Sequence, residues 1–267
     1  MRVLQALSHL DRWDPFLAPH LIRLLAWDGV SEKARDVLIG AGKKVVGQLC
    51  DVLLDETQDF TIRRRIPRII ARIGGQRAVY CLETALDDLR FEIRFQCGRS
   101  LDYLRQTEPE LRFDADRVVE VIEKELSVSK PIWQSRKLMD GRESSDSFSF
   151  LDDVLRERTD QSLEHVFSLL AVILPRAPLM TAFRALHSDD RLLHSLALEY
   201  LESVIPAKVR GKLIELRDSE HVPMQHRDTQ EILSELMKSN QDLLLKLKNP
   251  SGDAQPKDGT QSTATES

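Results

Sequence analysis

Ten arginines fall within residues 62–105, at positions 63, 64, 65, 68, 72, 77, 90, 94, 99 and 105, against five acidic residues at 83, 87, 88, 92 and 102 and no lysine. A guanidinium group keeps its charge at any ordinary pH and offers a planar fork of donors that fits carboxylates and phosphates. On a helix that turns about 100° per residue, Ile62, Ile66, Ile69, Ile70 and Ile73 share one face. Arg64, Arg65, Arg68 and Arg72 share another, a quarter to a third of the circle away. Two readings follow: a solvated face laced with weak salt bridges, or a local anion-binding surface. The formal net charge of the whole chain is -5, so any basic character belongs to this patch and gives no chain-wide affinity for nucleic acid or anionic membrane.

The other reactive residue types form no recognisable constellation. His221 and His226 are five apart and His187 and His194 seven apart, neither of which is the spacing of a zinc-binding helix. Cys50, Cys81 and Cys97 sit in apolar helical stretches without a C-x-x-C pair, which predicts small buried hydrophobes in a reducing compartment. The acid pairs Asp87-Asp88, Asp152-Asp153 and Asp189-Asp190 stand at helix starts or turns, where a carboxylate caps free N–H groups. Gly74-Gly75 reads as a helix terminator, and no glycine-rich phosphate loop is present. No serine, cysteine or threonine has a base and an orienting group in a readable arrangement. The expectation is therefore no catalytic residue, no metal site and no cofactor.

The elements that carry the arginines repeat. Ala34, Leu38 and Gly42 recur as Ile66, Ile70 and Gly74, then as Cys97 and Leu101, at a spacing of about 31 or 32 residues. Hydrophobic content is 42% and aromatic content only 6%, which suits stacked helix pairs cored by Leu, Ile, Val and Ala. Asp14-Pro15 opens one helix, Ser31 can cap the next, and Asp114 caps a later one carrying Val118, Ile122 and Leu126. The apolar stripe then stops, and residues 127–149 read as a linker or long loop. It resumes at Phe150 and runs to a final helix around Leu233–Leu247, with a polar outer face suited to capping the stack. The organisation expected is thus an N-terminal block over 1–126, the linker, a C-terminal block over 150–248, and a disordered tail over 249–267. Leu4, Leu7, Leu10 and Trp13 have little to cover them, so the N-terminal edge is expected to self-associate or dock. With too short an apolar start for a signal peptide and no span of membrane length, the expected location is cytoplasmic.

The helix–turn–helix unit with an acidic turn resembles the HEAT repeat in its short bacterial form. The apolar–Arg openings Ile62-Arg63 and Ile93-Arg94 match that family; Ser31-Glu32 departs from it. The resemblance implies an all-α fold, an α-solenoid of stacked helix pairs in a right-handed superhelix. It also implies that such an arginine bonds an acid in the inter-repeat turn, here Asp87 or Asp88 for Arg94, so that Arg63 and Arg94 are structural. Residues 28–217 are further similar to the soluble HEAT region that follows the membrane domain of bacterial proteins related to ATP/ADP translocases. The cues are Leu155-Arg156-Glu157-Arg158, the helix around Val166–Leu170, and Ala197–Leu201. The membrane part is absent here, so no transport residue carries over, and the likeness implies a soluble partner or regulatory half.

These readings converge on a non-enzymatic protein–protein interaction scaffold. In HEAT-like units the helix opening with apolar–Arg lines the concave side, which would turn Arg64, Arg65, Arg68 and Arg72 into the groove. A shift of 31 residues places Phe95, Gln96, Arg99 and Tyr103 on the same face of the next unit, and a shift back of 32 places Glu32, Lys33, Asp36 and Gly40 there. The expected partner surface is Arg64, Arg65, Arg68, Arg72, Phe95, Arg99 and Tyr103, and its expected ligand an acidic protein segment. A nucleic-acid-binding or DNA-repair module is the alternative from another class, opposed by the acidic overall charge and the lack of an aromatic-plus-Asp base pocket. A phycobiliprotein-lyase-like enzyme shares only the repeat.

Overall fold

The computed structural model of the chain describes residues 14–140, 149–188 and 190–215, with side chains described at 14–127, 160–188 and 190–211. Every regular element among them is helical. The first three α-helices are α1 (Ala18–Leu24), α2 (Asp28–Ala41) and α3 (Val46–Leu54). Next come α4 (Phe60–Arg63), α5 (Ile66–Ile73), α6 (Gln76–Ala85) and α7 (Phe91–Thr107). The rest are α8 (Ala115–Asp140), α9 (Ser149–Ile173), α10 (Arg176–Leu186), α11 (Arg191–Val204) and α12 (Ala207–Glu215). Among the described residues no helix is long and apolar enough to cross a membrane.

The repeated apolar positions become the core. Ala34 and Leu38 of α2, Ile66 and Ile70 of α5, and Cys97 and Leu101 of α7 are all fully buried. These three helices pack in succession, α2 on α5 and α5 on α7, and α7 packs in turn on α9. Helix α1 packs on α3 and α3 on α6. The buried apolar side chains form one cluster running from Ala18 to Val209. Gly74 and Gly75 end α5 with φ of 77° and 87°, a left-handed backbone that glycine adopts without the steric penalty of a Cβ.

Several helix starts follow the capping logic of short polar side chains. Asp14 accepts from Phe16 N–H, Asp59 from Thr61 and Ile62, Asp114 from Arg117, and Asp190 from Leu192 and Leu193. Ser31 does not cap α2, which begins three residues earlier at Asp28; its hydroxyl donates to the Asp28 carbonyl inside the first turn.

The expected loop over 127–149 differs from what is found. Helix α8 continues through Ser127 as far as Asp140, and α9 begins at Ser149. The apolar stripe does end at Leu126, but α8 packs along α9 and against α12. Residues 141–148 of that stretch lie outside the described residues, as do the N-terminal edge (1–13), the capping helix, His221, His226 and the tail. The acid pair Asp152-Asp153 lies where side chains are not described.

The cysteines depart from the expected three free thiols. Cys50 of α3 and Cys81 of α6 form a disulfide across a Cα separation of 5.8 Å, leaving Cys97 free and buried. Burial pushes the Cys97 thiol far above its usual range, with the nearby Asp88 carboxylate adding and Arg63 opposing. A thiol reagent at mildly alkaline pH is therefore expected to find none in the native chain. It should find one after denaturation without reductant and three once reduced. Three reactive thiols in the unreduced, denatured chain would rule out the bridge.

Candidate arginine-lined groove

The arginine run is split by a proline. Asp59 starts the helix at Phe60, but Pro67 has no N–H to donate to the carbonyl one turn back, so the helix is interrupted between Arg63 and Ile66. A tight bond from Arg65 N–H to the Ile62 carbonyl, 3.0 Å, bridges the break. Consecutive arginines consequently face different ways.

Arg63 points inward and is only 1% exposed. Its Nε donates to the Leu53 carbonyl at 2.9 Å and its terminal nitrogen pairs with the Asp88 carboxylate. Arg94, one unit later, donates to the backbone carbonyls of Asp88 and Leu89 and pairs with buried Glu125. Both arginines tie elements together, as the resemblance implied, but the partners are redistributed. Asp88 gives its carboxylate to Arg63 and only its backbone to Arg94, while Asp87 pairs with Arg117 and Lys124. A spacing rule applied along one strand of sequence could not choose between a carboxylate and its own main chain.

Arg64, Arg65 and Arg68 line one open cavity of about 350 Å³, together with Glu32 and Arg35 of α2 and Glu92 and Gln96 of α7. Positions 32, 64, 65, 68 and 96, matched only by spacing in the sequence, are thus neighbours in space. Arg65 is anchored: it donates to the Leu25 carbonyl and pairs with Asp28, holding that exposed carboxyl below its usual range mainly through the hydrogen bond and then through its charge. Arg64 lies over the Phe60 ring at 5.8 Å. Arg68 is exposed and has neither hydrogen-bond nor ion-pair partner among the described residues. Glu32 and Arg35 approach to 4.0 Å, and Gln96 donates to Glu92, so the acids at the rim are already engaged.

A second cavity of about 200 Å³ opens between α7, α9 and α10. Phe167, Met180, Phe183 and Tyr103 supply its apolar lining. Two ion pairs stand at its rim, Arg99 with Glu164 at 3.7 Å and Arg176 with Asp102 at 3.1 Å. Arg72 is exposed and stacks over Tyr103, 5.2 Å from the ring centre.

Of the seven residues assigned to the partner surface, Arg64, Arg65 and Arg68 gather at the first cavity and Arg99 and Tyr103 at the second, with Arg72 over Tyr103. Phe95 is not offered to a partner. It is 6% exposed, faces His165 of α9 at 6.1 Å between ring centres, and is covered by the Arg99 guanidinium at 5.6 Å. Helix α9 closes over that side of α7, a contact between distant parts of the chain that no local spacing encodes. Of the equivalent positions in α2, Lys33, Asp36 and Gly40 do not line the cavity. The sequence reading missed Arg35, Glu164 and Arg176: Arg35 lies one residue outside the repeated stripe, and the other two reach the groove from beyond the 127–149 stretch.

Among the described residues no group of three His, Cys, Asp or Glu side chains is placed to hold a metal ion. His187 packs on Phe183 with Nδ1 2.9 Å from the Phe183 carbonyl. No protein-family model and no curated protein matches the chain.

Proposed function

We propose that this chain is a non-enzymatic protein–protein interaction scaffold, a solenoid of HEAT-like helix pairs that captures an acidic polypeptide segment on the arginine-lined groove of α5 and α7. The observation that carries the reading is the convergence of Arg64, Arg65 and Arg68 on one cavity in which Arg68 has no partner of its own among the described residues. Intramolecular ion pairing would consume a guanidinium that served only the scaffold, as it does for Arg63 and Arg94. A carboxylate arriving from outside finds a fork with no partner among the described residues and a neighbouring arginine held in place by Asp28.

The test is binding of a glutamate-rich peptide by fluorescence polarisation, with a single-stranded DNA oligonucleotide as the competing polyanion. Reversing Arg64→Glu and Arg68→Glu together is expected to weaken peptide binding by about tenfold or more, with circular dichroism and melting temperature nearly unchanged because both side chains are exposed. Undiminished binding by a folded double mutant would remove the groove as the site. Tighter and steeply salt-dependent binding of the oligonucleotide would favour a nucleic-acid module instead.

A further inference from the structure

Glu92, Gln96, Arg99, Tyr103 and Gln106 succeed one another on α7 at steps of four and three residues, and so form one continuous stripe. The first two line the arginine cavity and the last three line the second cavity. Both cavities therefore open along a single helix face. Their centres on α7 are about nine residues apart, or roughly 13 Å at the helical rise. An extended chain covers that distance in about four residues, the least span for a segment bridging the two cavities, since Arg64, Arg65 and Arg68 stand at α5 and Met180 and Phe183 on α10. Arg72, exposed over the Tyr103 ring, connects α5 to this stripe beside the second cavity.

The two cavities differ in chemistry. The first has four arginines against two glutamates, and those glutamates are turned toward Arg35 and Gln96. The second balances its charges in pairs at the rim and keeps Phe167, Met180 and Phe183 inside. Its volume is about 200 Å³.

We infer that the groove reads a two-part linear motif: an acidic side chain seated among Arg64, Arg65 and Arg68, and an aromatic or large aliphatic side chain about four residues away or more, seated on Met180 and Phe183. This inference rests on the scaffold reading and adds to it the class of segment recognised. The charged part steers and orients the segment; the apolar part, which leaves water on binding, supplies most of the discrimination between segments.

The probes are synthetic Gly/Ser peptides carrying a glutamate pair, alone or with a phenylalanine at graded separations and in both orders. The unmutated chain should bind best at one separation of about four residues or more and in one order, about tenfold tighter than the same composition with the ring adjacent or far removed. Met180→Glu should abolish that gain while leaving binding of the glutamate-only peptide intact, and Arg68→Glu should weaken every peptide. A phenylalanine that adds nothing at any separation overturns the two-part motif while the scaffold reading stands. A glutamate-only peptide that fails to bind the unmutated chain overturns both. The separation series on the unmutated chain decides the matter even where a variant folds poorly.

Discussion

Arg63→Met is expected to destabilise the chain by about 3–5 kcal/mol, a fall in melting temperature of roughly 10 °C or more for a chain of this size. The Arg63 side chain is 2% exposed and its partner carboxylate on Asp88 6% exposed. A methionine fills the volume but leaves Asp88 charged and buried, and leaves the Leu53 carbonyl without the Nε–H that donates to it at 2.9 Å. The loss exceeds anything expected of the exposed arginines because those retain water when their partner goes. Asp88→Asn in the same background should restore part of the stability, since the neutral amide costs less to bury. Thermal unfolding by circular dichroism is the measurement. A shift of only a degree or two would mean that water reaches Asp88, and that Arg63 does not hold α3 and the turn after α6 together.

The second large effect is expected at Gly98→Val, about 2–3 kcal/mol of destabilisation. Here α7 meets α9 so closely that even a Cβ on residue 98 would stand 2.8 Å from Nδ1 and 2.9 Å from Cε1 of His165. The imidazole cannot retreat: it is fully buried, with the Phe91 ring at 5.6 Å and the Phe95 ring at 6.1 Å between centres. Valine adds two methyl groups beyond that Cβ, so the helices must separate or the aromatic cluster must rearrange. Gly40→Ala on α2, with nothing within 4 Å of the added carbon, is the control and should stabilise by roughly half a kcal/mol through helix propensity. Equal behaviour of the two substitutions would place the α7–α9 crossing farther apart.

Which residues were readable from sequence follows from the range over which each is determined. Ile66 and Ile70, or Cys97 and Leu101, are buried because one turn of helix puts them on the same side, and that side is marked by its apolar character. The glycines at 74 and 75 and the caps at Asp14, Asp114 and Asp190 are equally local. The neighbourhood of Glu32, Arg68 and Gln96 was legible at one remove, since a spacing that superposes units also stacks their faces. Phe95 was misplaced because its environment is set by His165, seventy residues on, and a face exposed within one unit is covered by another. Cys50 and Cys81 were read as separate for a related reason: each looks like an ordinary core residue until α3 and α6 are brought side by side. The helix through 127–140 has no stripe of its own to read.

The bridge between Cys50 and Cys81 spans 31 residues, the same interval at which the units recur. It therefore ties α3 to α6 across the loop that holds α4 and α5. Under a pulling force applied at the chain termini, units not so joined can peel away and pay out their full contour. Between these two cysteines the tension passes through the sulfurs, and about 100 Å of chain is withheld from extension. Arg63, Arg64, Arg65, Arg68 and Arg72 all lie inside that withheld loop. These five arginines are thus kept from extension, while Arg35 of α2 and Glu92 and Gln96 of α7, which complete the first cavity, lie outside the loop and can be drawn away from them.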